Sequence, residues 1–181
     1  QYVNLADNGE IEVSAREIAE KYPGLSLLVN NAGIPGDMSV RSYEQSLQDV
    51  IDTVQVNHIG TFYLTKLLLP LLEKNQGRIC NITVPSTFSP YWHPMAYVAS
   101  KAGQNTMIAT MGWEFDHFHV PVEAFTIHPG ATSTDLNGHY DGPGSHQPDV
   151  IGQKVAEIIN DGKRHNGEFS ELYPIVDEGN Y

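Results

Sequence analysis

Apolar and polar positions along the chain alternate between two periods. Ile11, Ala15, Ile18 and Tyr22 recur on one helical face, and Asp7 followed three residues later by Glu10 marks the capped start of that helix. Before it, "YVNLA" at 2–6 predicts a short strand; after it, Pro23-Gly24 ends the helix. "LSLLVN" at 25–30 is a continuous apolar run between turn residues, the pattern of a strand buried on both faces. Leu47, Val50, Ile51 and Val54 form a second helical stripe, and "IGTFYLTKLLLPLLEKN" at 59–75 predicts a long helix that accommodates Pro70. Next come a strand "RICNIT" at 78–83, a loop rich in Ser, Pro and Thr, a helix around 95–112, and a strand "VEAFTIH" at 122–128. A Gly-rich loop at 137–148, a candidate lid, precedes a last helix near 149–160 and a short extended tail. Apolar strands alternating with amphipathic helices predict an α/β fold with a parallel sheet covered on both sides.

Composition narrows the possibilities without changing that picture. The 181 residues, 40% hydrophobic and 18% charged, suit a single domain over 1–181. A net charge of −12 with no run of Lys or Arg disfavours a nucleic-acid partner, since a polyanion would be repelled. No apolar stretch approaches the roughly 20 residues that span a bilayer, so no membrane role is expected. The N-terminal "QYVNLADNGE" has neither a basic flank nor a signal core, and Cys80 stands alone inside an apolar strand; both point to a reducing, cytoplasmic setting.

In such sheets ligands lie beyond the carboxyl ends of the strands, so the residues just after each strand carry the chemistry. Here these are "NNAG" at 30–33, "TVPS" at 83–86 and "HPGATST" at 128–134. Small residues admit a flat or charged ligand to the backbone, and Asn and Thr supply hydrogen bonds. Tyr97 and Lys101, four residues apart, share one helical face. An ammonium beside a phenol would lower its pKa from about 10 toward working pH, as a proton donor to a forming alkoxide requires. Taken alone, a Tyr-x-x-x-Lys pair is more often an ordinary solvated helix face.

"NNAG" at 30–33, Asn57 in "VNHIGTFYL", "GRICNI" at 77–82, "YVASK" at 97–101 and "HPGATSTDLNG" at 128–138 occur together in this order. With these motifs the chain resembles the short-chain dehydrogenase/reductase family, particularly its carbonyl-reductase-type members, over nearly its whole length. The resemblance implies a Rossmann-like doubly wound parallel sheet in which NAD or NADP exchanges hydride with a small carbonyl or alcohol substrate. Tyr97 matches the family's catalytic acid or base, Lys101 its lysine partner and Asn57 the asparagine that holds a proton-relay water. For the cofactor, Asn4 and Leu5 match the adenine end, and Asn31, Ala32 and Gly33 the cofactor-facing turn, while Pro129, Gly130, Thr132 and Thr134 match the segment holding the nicotinamide carboxamide. Tyr97 and Lys101 also face the cofactor. Family members often pair through the helices carrying Asn57 and Tyr97, which implies a homodimer or homotetramer.

Two departures from the family pattern stand out. The family's serine, thirteen residues before the tyrosine, is replaced by Val84, which offers no hydrogen bond to a substrate oxygen. Losing one such donor costs on the order of 10² to 10³ in rate. Ser86, two residues on, and Thr83, which alternation should turn away, are the candidate substitutes. The family's opening strand, Gly-rich turn and helix have no counterpart, "QYVNLAD" corresponding to its third strand, so the fold is expected to be N-terminally truncated, its third strand without a neighbour. The competing readings are therefore an oxidoreductase, a catalytically degenerate nucleotide- or protein-binding module, and an inactive fragment. No metal site is expected: His117 and His119 diverge on a helix and no Cys or carboxylate cluster completes a set. Trp92, His93, His139 and Tyr140 could line a substrate pocket or simply pack their loops.

Overall fold

The computed structural model describes residues 2–85 and 94–173. In chain order the elements are α1 (Asn8–Lys21), β1 (Leu27–Asn30), α2 (Leu47–Val54), a π-helical turn (Gln55–Gly60), α3 (Thr61–Lys74), β2 (Arg78–Ile82), α4 (Met95–His117), β3 (Glu123–His128), β4 (Ala131–Thr132), β5 (Ser145–His146), α5 (Pro148–Ile159) and β6 (Phe169–Glu171). β1, β2, β3 and β6 form one parallel sheet in that order, in register Leu28↔Ile79↔Ala124. β4 and β5 make a separate two-residue pairing that ties the segment just after β3 to the Gly-rich candidate lid at 137–148, within which β5 lies.

The alternation of strand side chains sorts the core into two faces. Ile79 and Ala124 pack with Leu72 of α3 and with Ile108 and Phe115 of α4, while Cys80, Phe125 and Ile127 face Val155 and Ile158 of α5. α1 packs Ile11 and Ala15 against Leu64 and Leu68 of α3, and Asp7 caps it by accepting a hydrogen bond from the Glu10 amide (3.0 Å).

Three elements differ from the sequence pattern. Residues 2–6 are not a strand: they form an irregular segment ending in a turn, and among the described residues no strand lies alongside to take their ladder bonds. β1 is an edge strand rather than one buried on both faces, and Val29 is 40% exposed on its uncovered side. The long helix predicted from residue 59 is entered through the π-turn, so α2, the turn and α3 run on as one rod with a local widening. Gly60 within that turn is required by close approach: any Cβ there would collide with the Leu5 carbonyl, which lies directly on the rod.

Candidate active site

All four sheet strands run the same way, so the loops after β1, β2 and β3 leave one edge of the sheet together. α4 starts beside that edge and presents Tyr97, Ser100 and Lys101 inward, all at most 4% exposed. Lys101 Nζ stands 5.8 Å from the Tyr97 ring centroid and donates to the carbonyl of Ile82, the last residue of β2 (3.2 Å). The spacing of four does what the sequence suggested: it places ammonium and phenol ring on one buried face.

Asn57 reaches the same place from the π-turn. Its Oδ1 accepts from the Ile34 amide (2.8 Å), and its Nδ2 donates to the Ile34 carbonyl (2.9 Å) and to Ser100 Oγ (3.0 Å). Ser100 Oγ in turn donates to the Tyr97 carbonyl (2.7 Å). Gly33 marks the point of convergence: a Cβ there would press on Asn57 Oδ1 at 3.1 Å and touch Lys101 Nζ at 3.6 Å. Gly33, Asn57 and the Tyr97–Lys101 pair, far apart in sequence, thus meet. Beneath them Asn30 Nδ2 donates to Thr65 Oγ1 (3.0 Å) and Asn81 Oδ1 (2.8 Å), tying β1, α3 and β2 together.

The electrostatics correct one expectation. The phenol is not lowered toward neutrality: burial pushes Tyr97 up to about 12 and Lys101 down to about 8. Desolvation disfavours whichever form is charged, so it raises an acid and lowers a base, and here it outweighs the attraction between the two groups. His128, which ends β3, follows the same rule: burial brings its imidazole down to about 4. At neutral pH the site therefore holds a neutral phenol, a neutral imidazole and an ammonium that is easily deprotonated.

The remaining sequence-predicted residues are more dispersed. Leu5, Asn31 and Ala32 line a shallow groove along the free edge of β1, together with Leu28, Val29 and Leu64. Asn4 turns its side chain back to accept from the Ala6 amide (3.1 Å). Pro129 and Gly130 leave β3, and Gly130 adopts a left-handed backbone (φ 79°) with Tyr173 packed against it. Thr132 Oγ1 contacts the Gly130 carbonyl (3.3 Å), and the Thr134 amide donates to Asn137 Oδ1 (3.1 Å), so this segment bonds mainly to its own loop. Thr83 is buried, its hydroxyl 3.4 Å from the Val84 carbonyl, and that carbonyl accepts from Asn105 Nδ2 (2.8 Å). Ser86, Trp92 and His93 lie outside the described residues. His139 is paired with Asp135 (2.7 Å) on the surface. Ser100 was not singled out in the sequence, although it precedes Lys101 in "YVASK" and shares a helical face with Tyr97. Among the described residues no group of three or more His, Cys, Asp or Glu is placed to hold a metal ion, and no helix is long and apolar enough to cross a membrane.

The family described as short chain dehydrogenase matches residues 1–142. The chain belongs to the short-chain dehydrogenase family. Among curated relatives, rat estradiol 17-beta-dehydrogenase 2 is 30% identical over 149 residues, which cover 78% of this chain and 37% of the relative. The 3-oxoacyl-[acyl-carrier-protein] reductase FabG of Thermotoga maritima is 32% identical over 138 residues, covering 74% of this chain and 53% of the relative. This short-chain dehydrogenase thus spans about half, or less, of the length of these relatives. Its fold matches the alcohol dehydrogenase from Thermococcus sibiricus, solved with 5-hydroxy-NADP, with a TM-score of 0.83 at 22% identity, over 100% of this chain and 76% of that one. The Rossmann-like parallel sheet expected from the motifs is the one observed.

Proposed function

We propose that this chain carries the proton-transfer half of an NAD(P)-dependent oxidoreductase acting on a small carbonyl or alcohol, with Tyr97 as proton donor and acceptor. The carrying observation is the convergence of Tyr97, Lys101, Asn57 and Gly33 at the carboxyl edge of the parallel sheet. The relatives' names fit this class: a 17-beta-dehydrogenase and an oxoacyl reductase both interconvert carbonyl and hydroxyl.

A nicotinamide cofactor would supply or accept the hydride. The residues present suit it: the Gly33 turn leaves the backbone open beside Asn57 and Lys101, and the groove of Leu5, Asn31 and Ala32 continues from it. Tyr97, kept as a neutral phenol by burial, holds at Oη a proton for a forming alkoxide, an oxygen far more basic than phenolate. Lys101, held by the Ile82 carbonyl, stabilises the phenolate left behind while it remains protonated. Reduction should therefore decline as pH rises through about 8, where Lys101 loses its proton. Burial of the lone Cys80 suits a cytoplasmic setting, and homodimers or homotetramers are the assembly we favour.

Val84 favours a second reading, a nucleotide-binding module without turnover. Titrating NADH and NADPH by fluorescence and following reduction of an aromatic ketone separates the two. Turnover supports the oxidoreductase; binding without turnover, in wild type and in Val84→Ser alike, supports the module. For the enzyme, Val84→Ser should raise kcat by about 10² to 10³-fold by restoring one oxyanion-type donor. If Thr83 or Ser86 already supplies that donor, the gain vanishes and Thr83→Ala or Ser86→Ala lowers the rate; unchanged rates in both remove the compensation idea.

A further inference from the structure

Nothing in the proposed chemistry gives a task to Ser100, yet its hydroxyl lies at the centre of a buried side-chain chain of hydrogen bonds between the loop after β1 and the helix of Tyr97. We propose that Ser100 is a positioning residue whose hydroxyl sets the spacing between the Gly33–Ile34 loop and Tyr97, acting through Asn57. Ser100 Oγ accepts from Asn57 Nδ2 (3.0 Å) and donates to the Tyr97 carbonyl (2.7 Å), and both side chains are essentially inaccessible, at 1% and 0% exposure.

The hydrogen-bond inventory makes the arrangement directional. An asparagine amide has two N–H donors, and Asn57 directs one to the Ile34 carbonyl and one to Ser100. Its oxygen takes the Ile34 amide, so the side chain behaves as a short strand partner that clamps both backbone groups of Ile34. The Ile34 N–H and C=O fix which way that amide points, and Ser100 Oγ, its own proton given to the Tyr97 carbonyl, takes the remaining N–H. A flipped amide would set N–H against N–H and oxygen against oxygen at Ile34 and leave those buried groups unpaired. Without the Ser100 hydroxyl, the clamp on the loop persists but loses its anchor on α4. A cofactor lying against Gly33 and an oxygen waiting at Tyr97 would then be held by parts no longer tied to one another. A reaction that needs donor and acceptor aligned is sensitive to displacements of an ångström or less.

The kinetic consequence rests on the oxidoreductase reading, whereas the structural one rests on the hydrogen bonds alone, so the test has an arm for each. In the first arm, side-chain amide NMR of Asn57 is compared in the apo chain, in Ser100→Ala and in Ser100→Thr. Expected in Ser100→Ala is an upfield shift of one Nδ2 proton with at least tenfold faster exchange, restored by Ser100→Thr. Asn57 resonances unchanged in a folded Ser100→Ala overturn the proposal. In the second arm, kcat for ketone reduction falls tenfold to a hundredfold in Ser100→Ala with KM for both substrates within twofold, and Ser100→Thr recovers it. A KM effect alone, or the same loss in Ser100→Thr, also overturns it. A wild-type chain that never turns over defeats the oxidoreductase reading, and the NMR arm then decides Ser100 by itself. Should Ser100→Ala not fold, Ser100→Cys, with its weaker acceptor, carries the same expectations.

Discussion

The two ends of the parallel sheet bury polar groups in opposite ways. At the carboxyl edge, Asn30, Asn57, Asn81, Thr83 and Lys101 are all buried, and their described partners are amides, hydroxyls and carbonyls. Among the described residues no carboxylate is paired with Lys101. At the amino edge, Arg78 and Glu123, which begin β2 and β3, form an ion pair (2.9 Å), and Glu123 also accepts the His165 amide (2.6 Å). The His165 ring lies between Glu168 (2.7 Å) and Asp161 (3.1 Å), while Arg78 donates to the Ile159 carbonyl and its guanidinium stacks 4.8 Å from the Phe125 ring. Charge opposes charge there, and the connection from α5 to β6 is fastened by it. An ionisable group buried without a counter-charge is held off its ordinary pKa, which proton transfer can use; paired charges hold a loop in place.

The largest test of this contrast is Tyr97→Phe. Deleting the Oη proton while keeping the ring should lower kcat by 10² to 10⁴-fold, the usual range for one general acid, and leave stability within about 1 kcal/mol. Initial rates and a urea midpoint on the same preparation check both halves. A loss below tenfold would detach the chemistry from this end of the sheet.

Next in size is a matched pair of charge removals. Arg78→Met leaves Glu123, 8% exposed, without its cation and should destabilise by about 3 kcal/mol. Lys101→Met removes a buried charge that has no anionic partner and should be neutral or stabilising by about 1 kcal/mol, while abolishing turnover. Urea unfolding of both variants decides the matter, and equal costs would mean that the two ends are not organised differently after all.

Much of this contrast was legible in the sequence at one end only. Tyr97, Lys101, Asn57 and Gly33 could be read because short motifs at strand ends carry chemistry wherever the fold is parallel α/β. Their pKa displacement could not, because the spacing of four shows that an ammonium is near and says nothing of how dry the pocket is. The segment 2–6 and β1 were misjudged for a related reason: an apolar run shows what a strand would prefer to bury, not whether a neighbour exists to bury it. The amino-edge cluster left no local signal at all. Arg78, Glu123 and His165 are brought together only by strand register and by the approach of Gly112 to the Gly167 backbone, where any Cβ would clash. The π-turn was not legible either: the extra residue within "QVNHIG" displaces the apolar stripe by one position, which in sequence looks like a break between two helices.

The smallest effect is the most diagnostic in shape. His165 has its pKa raised, first by the hydrogen bond to Glu168 and then, against the opposing effect of burial, by Asp161. A base raised on folding stabilises fully below its unfolded value of about 6.5, and that contribution is lost as pH rises through the higher folded value. Around it Arg78 and Lys163 oppose protonation, while Glu123, Asp161 and Glu168 favour it, with Arg164 already engaged by Asp116 (2.6 Å). His165→Gln keeps the backbone bond to Glu123 and removes only the titrating ring. The stability gap between wild type and variant should be about 1 kcal/mol at pH 6 and should shrink steadily above pH 7, measured by urea unfolding across that range. A gap that stays constant with pH would assign His165 to packing against Phe125, whose ring centroid is 5.6 Å away, and would leave Arg78 and Glu123 as the whole electrostatic fastening of the amino edge.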